Sequence, residues 1–250
     1  MATEGSPTPG LVVDESILNA NITRMAGFTA AAGLALRPHV KTHKSIEIAR
    51  RQLAAGAVGI TVATLSEAEV FAAAGFDDIF VAYPLWIDDF RRASLERVLE
   101  RASVLVGIDS IQSAERLAGV ASASAGHLAA LVEIDSGHHR SGVLPPDAGP
   151  LAGAAQDTGL EVAGVFTFPG HSYSPATRES AARDEANALA RAVSSFEQHA
   201  IPVRIVSGGS TPSLEFANSS VLTEVRPGVY VFGDAQQWEL GTIDPRDIAL

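Results

Sequence analysis

Residues 34–44 read Leu-Ala-Leu-Arg-Pro-His-Val-Lys-Thr-His-Lys, a short apolar segment that runs directly into a polar, cationic one. The composition and length of residues 34–40 predict a buried β-strand. The same change from a short apolar segment to a polar end recurs along the chain. Eight segments of this kind are predicted strands: residues 34–40, 58–63, 79–82, 104–108, 128–134, 162–167, 203–206 and 225–230.

Stretches with helical periodicity separate these strands. Thr64 with Glu67 three residues later predicts a capping box at the start of a helix, and Asp109 with Gln112 predicts a second one. The longest predicted helix covers residues 178–198, where apolar residues recur with the period of one buried helix face. Regular alternation of strands and helices predicts an α/β fold, a parallel (β/α)8 TIM-like barrel.

The two ends of the chain do not fit the strand and helix alternation. Residues 1–10 are rich in Gly, Pro, Ser and Thr and are expected to be flexible, and residues 11–14 are predicted to form an additional strand. The barrel is expected to occupy residues 11–233. Residues 234–250 contain a predicted helix at 235–240 and are expected to begin a C-terminal domain that this chain lacks.

Composition disfavours several classes of partner. The net charge of −11 without a basic stripe argues against nucleic acid. The chain has no cysteine, which excludes disulfides and thiolate metal sites. Neither a signal peptide nor an apolar stretch of membrane-spanning length is recognisable, so a cytoplasmic protein without membrane contact is expected.

Lysine is rare and clustered in this chain. Only two of the 18 Lys and Arg residues are lysines, Lys41 and Lys44, and both follow the first predicted strand. An ε-amine, unlike a guanidinium, can lose its proton and attack the carbonyl of a substrate or of pyridoxal phosphate. The alternative interpretation is that both lysines lie by chance on a solvated turn and have no chemical role. In a barrel, however, the carboxyl ends of the strands form the active site, which is where Lys41 is expected.

Polar residues follow the later strands as well. Strand 7 runs into Ser207-Gly208-Gly209-Ser210-Thr211, and the strand 8 segment contains a small turn, Arg226-Pro227-Gly228. Barrels commonly bind phosphate on the loops after these two strands, because their turns present backbone N–H groups. An ordinary strand-to-helix turn is the alternative for residues 207–210. Together, an amine and a phosphate site fit a phosphate-bearing aldehyde.

Five segments in this order resemble the fold-type III pyridoxal-phosphate enzymes, and more closely their D-threonine aldolase and D-serine dehydratase branch, with alanine racemase a more distant relative. They are residues 37–44, 133–142, 170–173, 207–211 and 226–230. The resemblance extends from Leu11 to the end of the chain. It implies a barrel of the alanine racemase N-terminal type whose C-terminal β-domain is absent or truncated.

The resemblance also implies a role for individual residues. Lys41 would form the internal aldimine and move the proton at the substrate α-carbon, and His171 and Tyr173 would face the substrate. The implied cofactor-binding residues are His39, Lys41, Arg140, Ser207, Gly208, Gly209, Ser210, Arg226, Gly228 and Tyr230. Phe168 departs from the pattern, because many relatives have a histidine there.

The implied activity is that of a lyase on small D-amino acids with a β-hydroxyl group, by aldol cleavage or by dehydration. Relatives use a divalent metal (Mn, Mg or Zn) bound in the C-terminal domain, and no metal ligand is predicted in this chain. Relatives are also dimers, so a homodimer is expected.

Three other functions remain open from the sequence. An amino-acid racemase of the same fold and a non-enzymatic barrel that binds pyridoxal phosphate for vitamin B6 handling would both use the same cofactor. A metal hydrolase would instead use the histidines near strand ends: His39, His43, His138, His139 and His171. The absence of His-x-His on strand 1 argues against the hydrolase.

Overall fold

Eight parallel strands form the sheet at the centre of the molecule. The computed structural model describes residues 10–250, so the predicted flexible segment lies outside the described residues except for Gly10. The strands are β1 (Ala35–Leu36), β2 (Ile60–Val62), β3 (Asp78–Pro84), β4 (Ser103–Ile108), β5 (Leu128–Glu133), β6 (Glu161–Phe166), β7 (Ile205–Gly208) and β8 (Glu224–Val225). Strands β2 to β8 pair in chain order and β8 pairs with β1.

Backbone hydrogen bonds close this sheet into the predicted barrel. The Val58 amide donates to the Leu36 carbonyl and the Thr61 amide to the Pro38 carbonyl, both at 2.9 Å, which joins the first strand segment to the second. Strands 1 and 8 are shorter than predicted because Pro38 and Pro227 have no N–H to donate to a strand ladder. Short 3-10 turns follow both strands.

Within residues 10–250, eight α-helices surround the barrel: α1 (Glu15–Ala31), α2 (Ile46–Ala54), α3 (Leu65–Ala73), α4 (Asp89–Leu99), α5 (Ile111–Ala121), α6 (Ala148–Asp157), α7 (Arg178–Gln198) and α8 (Ala235–Glu239). The prediction for α7 is confirmed at both ends, and α8 confirms the predicted helix near the C-terminus. None of the helices within residues 10–250 combines the length and apolarity that crossing a membrane requires.

Two predictions at helix starts are wrong and one is confirmed. The strand predicted at residues 11–14 is absent; Asp14 instead caps α1, with its carboxylate accepting the amides of Ser16 and Ile17. Ser110, and not Asp109, caps α5. Thr64 caps α3 as predicted, accepting the Glu67 amide at 3.1 Å, while the Glu67 carboxylate accepts the Ala63 amide.

The core has two layers. A large cluster of aliphatic residues fills the space between the sheet and the helices. A smaller cluster lies inside the barrel and is formed by alternate residues of neighbouring strands, including Phe80, Leu131 and Phe166. The rings of Phe80 and Phe166 meet edge to face at 5.1 Å and form the apolar floor beneath the carboxyl ends of the strands. A cavity opens above this floor.

Candidate active site

The cavity at the carboxyl ends of the strands collects most of the predicted site residues. Eight of them line it: His39, Lys41, Arg140, Tyr173, Gly209, Ser210, Arg226 and Gly228. They come from the segments that follow β1, β5, β6, β7 and β8. Residues far apart in sequence meet here because the carboxyl ends of all eight parallel strands lie at one end of the barrel.

The two lysines have different environments. Lys41 lies in the 3-10 turn Val40–Thr42, and its ammonium is 5.8 Å from the centre of the Phe168 ring. Desolvation in the cavity, together with the charges of Arg140 and Arg226, lowers the pKa of Lys41, although the side chain stays exposed through the cavity mouth. Lys44 points elsewhere, 3.1 Å from Glu67, and does not line the cavity. Lys41 is therefore the lysine suited to nucleophilic chemistry.

His39 lies beside Lys41 on the cavity wall. Burial, with the charges of Lys41 and Arg226, lowers the pKa of His39 well below its ordinary value. The ring is neutral near pH 7, and its buried Nδ1 has no hydrogen-bond partner among the described residues. An unpaired buried ring nitrogen is costly in a folded protein, so this atom is available to a bound molecule.

Arg226 lies on the floor of the cavity, above Phe80 and Phe166, with its guanidinium carbon 5.4 Å from each ring centre. It donates to the Ser207 hydroxyl and to the Thr167 carbonyl, both at 2.5 Å. These two bonds fix the plane of the guanidinium. Burial lowers the pKa of Arg226, yet an arginine remains a cation at this depth.

A chain of buried charges continues below Arg226. The Ser207 hydroxyl donates to Glu224 at 2.6 Å, and the other Glu224 oxygen accepts from Arg37 at 2.7 Å. Arg37 in turn donates to Asp78 at 2.6 Å, at the amino end of β3. Ser207 uses its hydroxyl in this chain and does not line the cavity.

Two turns beside the cavity carry hydrogen-bond donors that have no partner among the described residues. Gly209 has φ +74°, a left-handed conformation that glycine adopts readily, and the turn continues into Thr211, whose buried hydroxyl lacks a partner among the described residues. On the other side, a Cβ at Gly228 would lie 2.8 Å from the His39 carbonyl. Neither the Thr211 amide nor the Gly228 amide donates to another backbone group within residues 10–250. Such unpaired donors suit an anion.

Several predicted residues lie away from the cavity wall. The Tyr230 hydroxyl accepts from Gln52 at 2.9 Å, and Tyr230 lines a separate cavity bordered by α1 and α8. Gly208 is covered by α7. His171 lies 3.4 Å from Asp184 of α7 and packs against Gly137, so its ring faces α7 and the loop after β5. Their predicted roles in binding or catalysis stay predictions.

The rim of the cavity is aromatic and cationic. Arg140 lies over the rings of Phe168, at 5.2 Å, and Tyr83, at 5.9 Å. It also lies 3.6 Å from buried Glu133, whose own pKa is raised by burial. Desolvation, with the charge of Asp234, raises the pKa of Tyr173, so the phenol keeps its proton.

Eight cavity residues were not predicted as site residues, and four of these lie just after predicted strands: Thr42, Tyr83, Phe168 and Thr211. Each follows a predicted strand, and this position was the available signal. No group of three or more His, Cys, Asp and Glu side chains arranged to hold a metal ion occurs in the part of the chain that the structure describes.

Comparison with known proteins relates the chain to one enzyme family. Residues 13–236 match the family described as "Alanine racemase, N-terminal domain". D-threo-3-hydroxyaspartate dehydratase of Delftia sp. (strain HT23) is 36% identical, over 97% of this chain and 66% of the relative. D-threonine aldolase of Arthrobacter sp. is 35% identical, over 93% of this chain and 64% of the relative.

A solved structure gives the same relationship. The Delftia dehydratase superposes with a TM-score of 0.88 at 34% identity, covering 98% of this chain and 66% of the other. The chain thus spans slightly less than two thirds of the length of these relatives.

Proposed function

Because the chain belongs to the alanine racemase N-terminal domain family, we propose that it is the barrel of a pyridoxal-phosphate-dependent lyase acting on small D-amino acids that carry a β-hydroxyl group. Two relatives whose names denote such reactions, a dehydratase and an aldolase, support this class of substrate. The observation that carries the proposal is the meeting of the Lys41 amine with two donor-rich turns in one cavity.

The residues present fit pyridoxal phosphate. The partnerless Thr211 hydroxyl and the free amides of Thr211 and Gly228 match the acceptor oxygens of a phosphate group. The neutral His39 ring and the Arg226 cation provide hydrogen-bond partners for a heteroaromatic ring, and Lys41 provides the amine. When bound, the cofactor supplies an aldehyde that captures amines and a ring that accepts electron density from the substrate α-carbon.

The chain's own residues then bind the substrate and move protons. The lowered pKa of Lys41 makes its Nζ a suitable acceptor for the proton on the substrate α-carbon. Arg140 at the rim provides a cation for the substrate carboxylate. Tyr173 holds a phenolic proton at the cavity wall. Arg226 keeps a positive charge at the cavity floor, where it binds as a cation without giving up a proton.

The proposal includes a divalent metal bound outside these residues, a homodimer and a cytoplasmic location. Exposed apolar side chains that follow β3 support association: Trp86 is 52% and Phe90 82% exposed. Light scattering of the purified chain measures its oligomeric state.

Borohydride reduction of the chain loaded with pyridoxal phosphate tests the proposal. The label is expected on the peptide that contains Lys41. Incubation with Mn²⁺ and D-threonine is expected to release glycine and acetaldehyde, or incubation with D-serine to release pyruvate and ammonia. A label at another residue contradicts the site. Labelling at Lys41 without turnover of either amino acid supports a cofactor carrier instead.

A further inference from the structure

A buried carboxylate without an ion pair lies behind the cavity. Glu185, in the middle of α7, is 1% exposed, and the other fully buried glutamates in the described residues are Glu133 and Glu224. Glu133 lies near Arg140 and Glu224 is paired with Arg37. Glu185, by contrast, forms no ion pair with a described residue. Burying a carboxyl group without a counter-ion is costly, so its position calls for a structural reason.

The contacts of Glu185 are with the glycine turn after β7. Its Oε1 accepts the Gly209 amide at 2.7 Å. The same oxygen would lie 2.5 Å from a Cβ on Gly208, so the carboxyl group and the turn are packed together without room for a methyl group. Gly209 has the left-handed φ of +74° that redirects the chain toward Ser210 and Thr211. The orientation of the next amides depends on this residue together with the hydrogen bonds between Ser210 and Ser213.

We propose that Glu185 is a positioning residue for phosphate recognition, which holds the Gly208–Gly209 turn from behind so that the Thr211 amide and hydroxyl face the cavity. This inference rests on the proposed function, since it concerns the phosphate group of the cofactor. Glu185 does not line the cavity; it acts through the Gly209 amide.

The charge of Glu185 is compatible with a nearby anion. Burial raises the pKa of Glu185 to about 7, against the opposing effects of the Gly209 amide and the Arg226 charge. Near neutral pH the carboxyl group is therefore partly protonated, which reduces its repulsion of a phosphate group. The neutral acid still offers a carbonyl oxygen to the Gly209 amide.

Three substitutions of Glu185 separate the effect of its side-chain length from the effect of its charge. Glu185→Gln keeps an acceptor oxygen at the same reach and removes the charge. Glu185→Asp keeps the charge and shortens the side chain by one methylene, so that it no longer reaches Gly209. Glu185→Leu removes both. Glu197→Gln, an exposed position on the same helix, is the matched control. Circular dichroism of each variant checks that it is folded.

The measurement is the dissociation constant of pyridoxal phosphate and of pyridoxal, which lacks the phosphate, by absorbance titration. We expect Glu185→Gln and Glu197→Gln to bind pyridoxal phosphate as the unmodified chain does. Glu185→Asp and Glu185→Leu are expected to bind it about tenfold or more weakly, in line with the loss of one buried hydrogen bond. Pyridoxal affinity is expected to remain unchanged throughout, because Lys41 captures both aldehydes.

The outcomes distinguish this inference from the proposed function. An unmodified chain that binds neither compound overturns the proposed function and this inference with it, whereas a chain that binds both equally overturns the inference alone, because it does not recognise the phosphate group. If the unmodified chain prefers pyridoxal phosphate, an Asp variant with full affinity or a Gln variant as weak as Leu overturns the inference alone. So does a parallel loss of pyridoxal affinity, which indicates general disruption of the cavity. If Glu185→Leu does not fold, the Gln and Asp variants decide the question.

Discussion

The buried Glu185 predicts how the stability of the cofactor-free chain depends on pH. Its pKa is raised from 4.5 to about 7 because burial disfavours the charged form. The folded chain therefore binds more protons than the unfolded chain between these two values, and the stabilising contribution is complete below pH 4.5. It declines as the pH rises and is lost above pH 7. A pKa difference of this size corresponds to about 3 kcal/mol.

Glu185→Gln removes this titration because an amide stays neutral at every pH. The free energy of unfolding, measured by urea titration at pH 5, 6, 7 and 8, is expected to fall with pH more steeply in the unmodified chain than in the variant. The difference between the two is expected to change by about 2 to 3 kcal/mol in favour of the variant over this range, slightly less than the full effect because pH 5 already lies above 4.5. All other titrating groups are common to both proteins and cancel in the difference.

Glu197→Gln, on the exposed part of the same helix, is expected to follow the pH profile of the unmodified chain. The reasoning about burial is refuted if Glu185→Gln and the unmodified chain have parallel profiles. It is also refuted if the difference changes in the opposite direction, since that would mean that the folded state favours the carboxylate.

Three further predictions concern the site and the fold. Lys41→Ala is expected to abolish the borohydride-stable label and Lys44→Ala to retain it, measured by mass spectrometry of the intact protein; equal labelling would contradict the assignment of the lysines. Thr64→Ala is expected to lower the free energy of unfolding by about 1 kcal/mol through loss of the α3 cap, and an unchanged urea midpoint would argue against it. Arg37→Met is expected to cost about 3–5 kcal/mol because it leaves Glu224 buried without its partner, and thermal unfolding at full stability would contradict this.

The barrel could be predicted from sequence because its signals are local. Short apolar segments followed by polar residues give the strands, and the stripe on α7 repeats with helical period over its whole length. Helix α1 was missed because its buried positions, including Asn21 and Thr29, mix polar with apolar residues and form no clear apolar face. The cap at Asp14 was the remaining signal, and the apolar residues before it favoured a strand.

Site residues could be predicted where their position at a strand end places them. They could not be predicted where contacts between distant elements decide the role of the side chain. Lys41 and Arg140 follow predicted strands and Arg226 lies in the predicted strand 8 segment, so the barrel alone brings them together. Ser207 follows the predicted strand 203–206, but it lies within β7, and its hydroxyl is taken by Glu224, a contact set by strand register. Glu185 has no sequence signal, because nothing local indicates that a carboxylate on α7 faces a turn 24 residues later.

The buried charge chain described above connects the two ends of the barrel. Asp78 is partly exposed at the amino ends of the strands, while Arg226 contacts the cavity at the opposite end, and each bond between them is short. A shared network of this kind couples its members, so altering one alters the others. Substitution of Asp78 at the amino ends of the strands is therefore expected to alter the environment of Arg226 in the cavity, so this end of the barrel is not a neutral place for redesign.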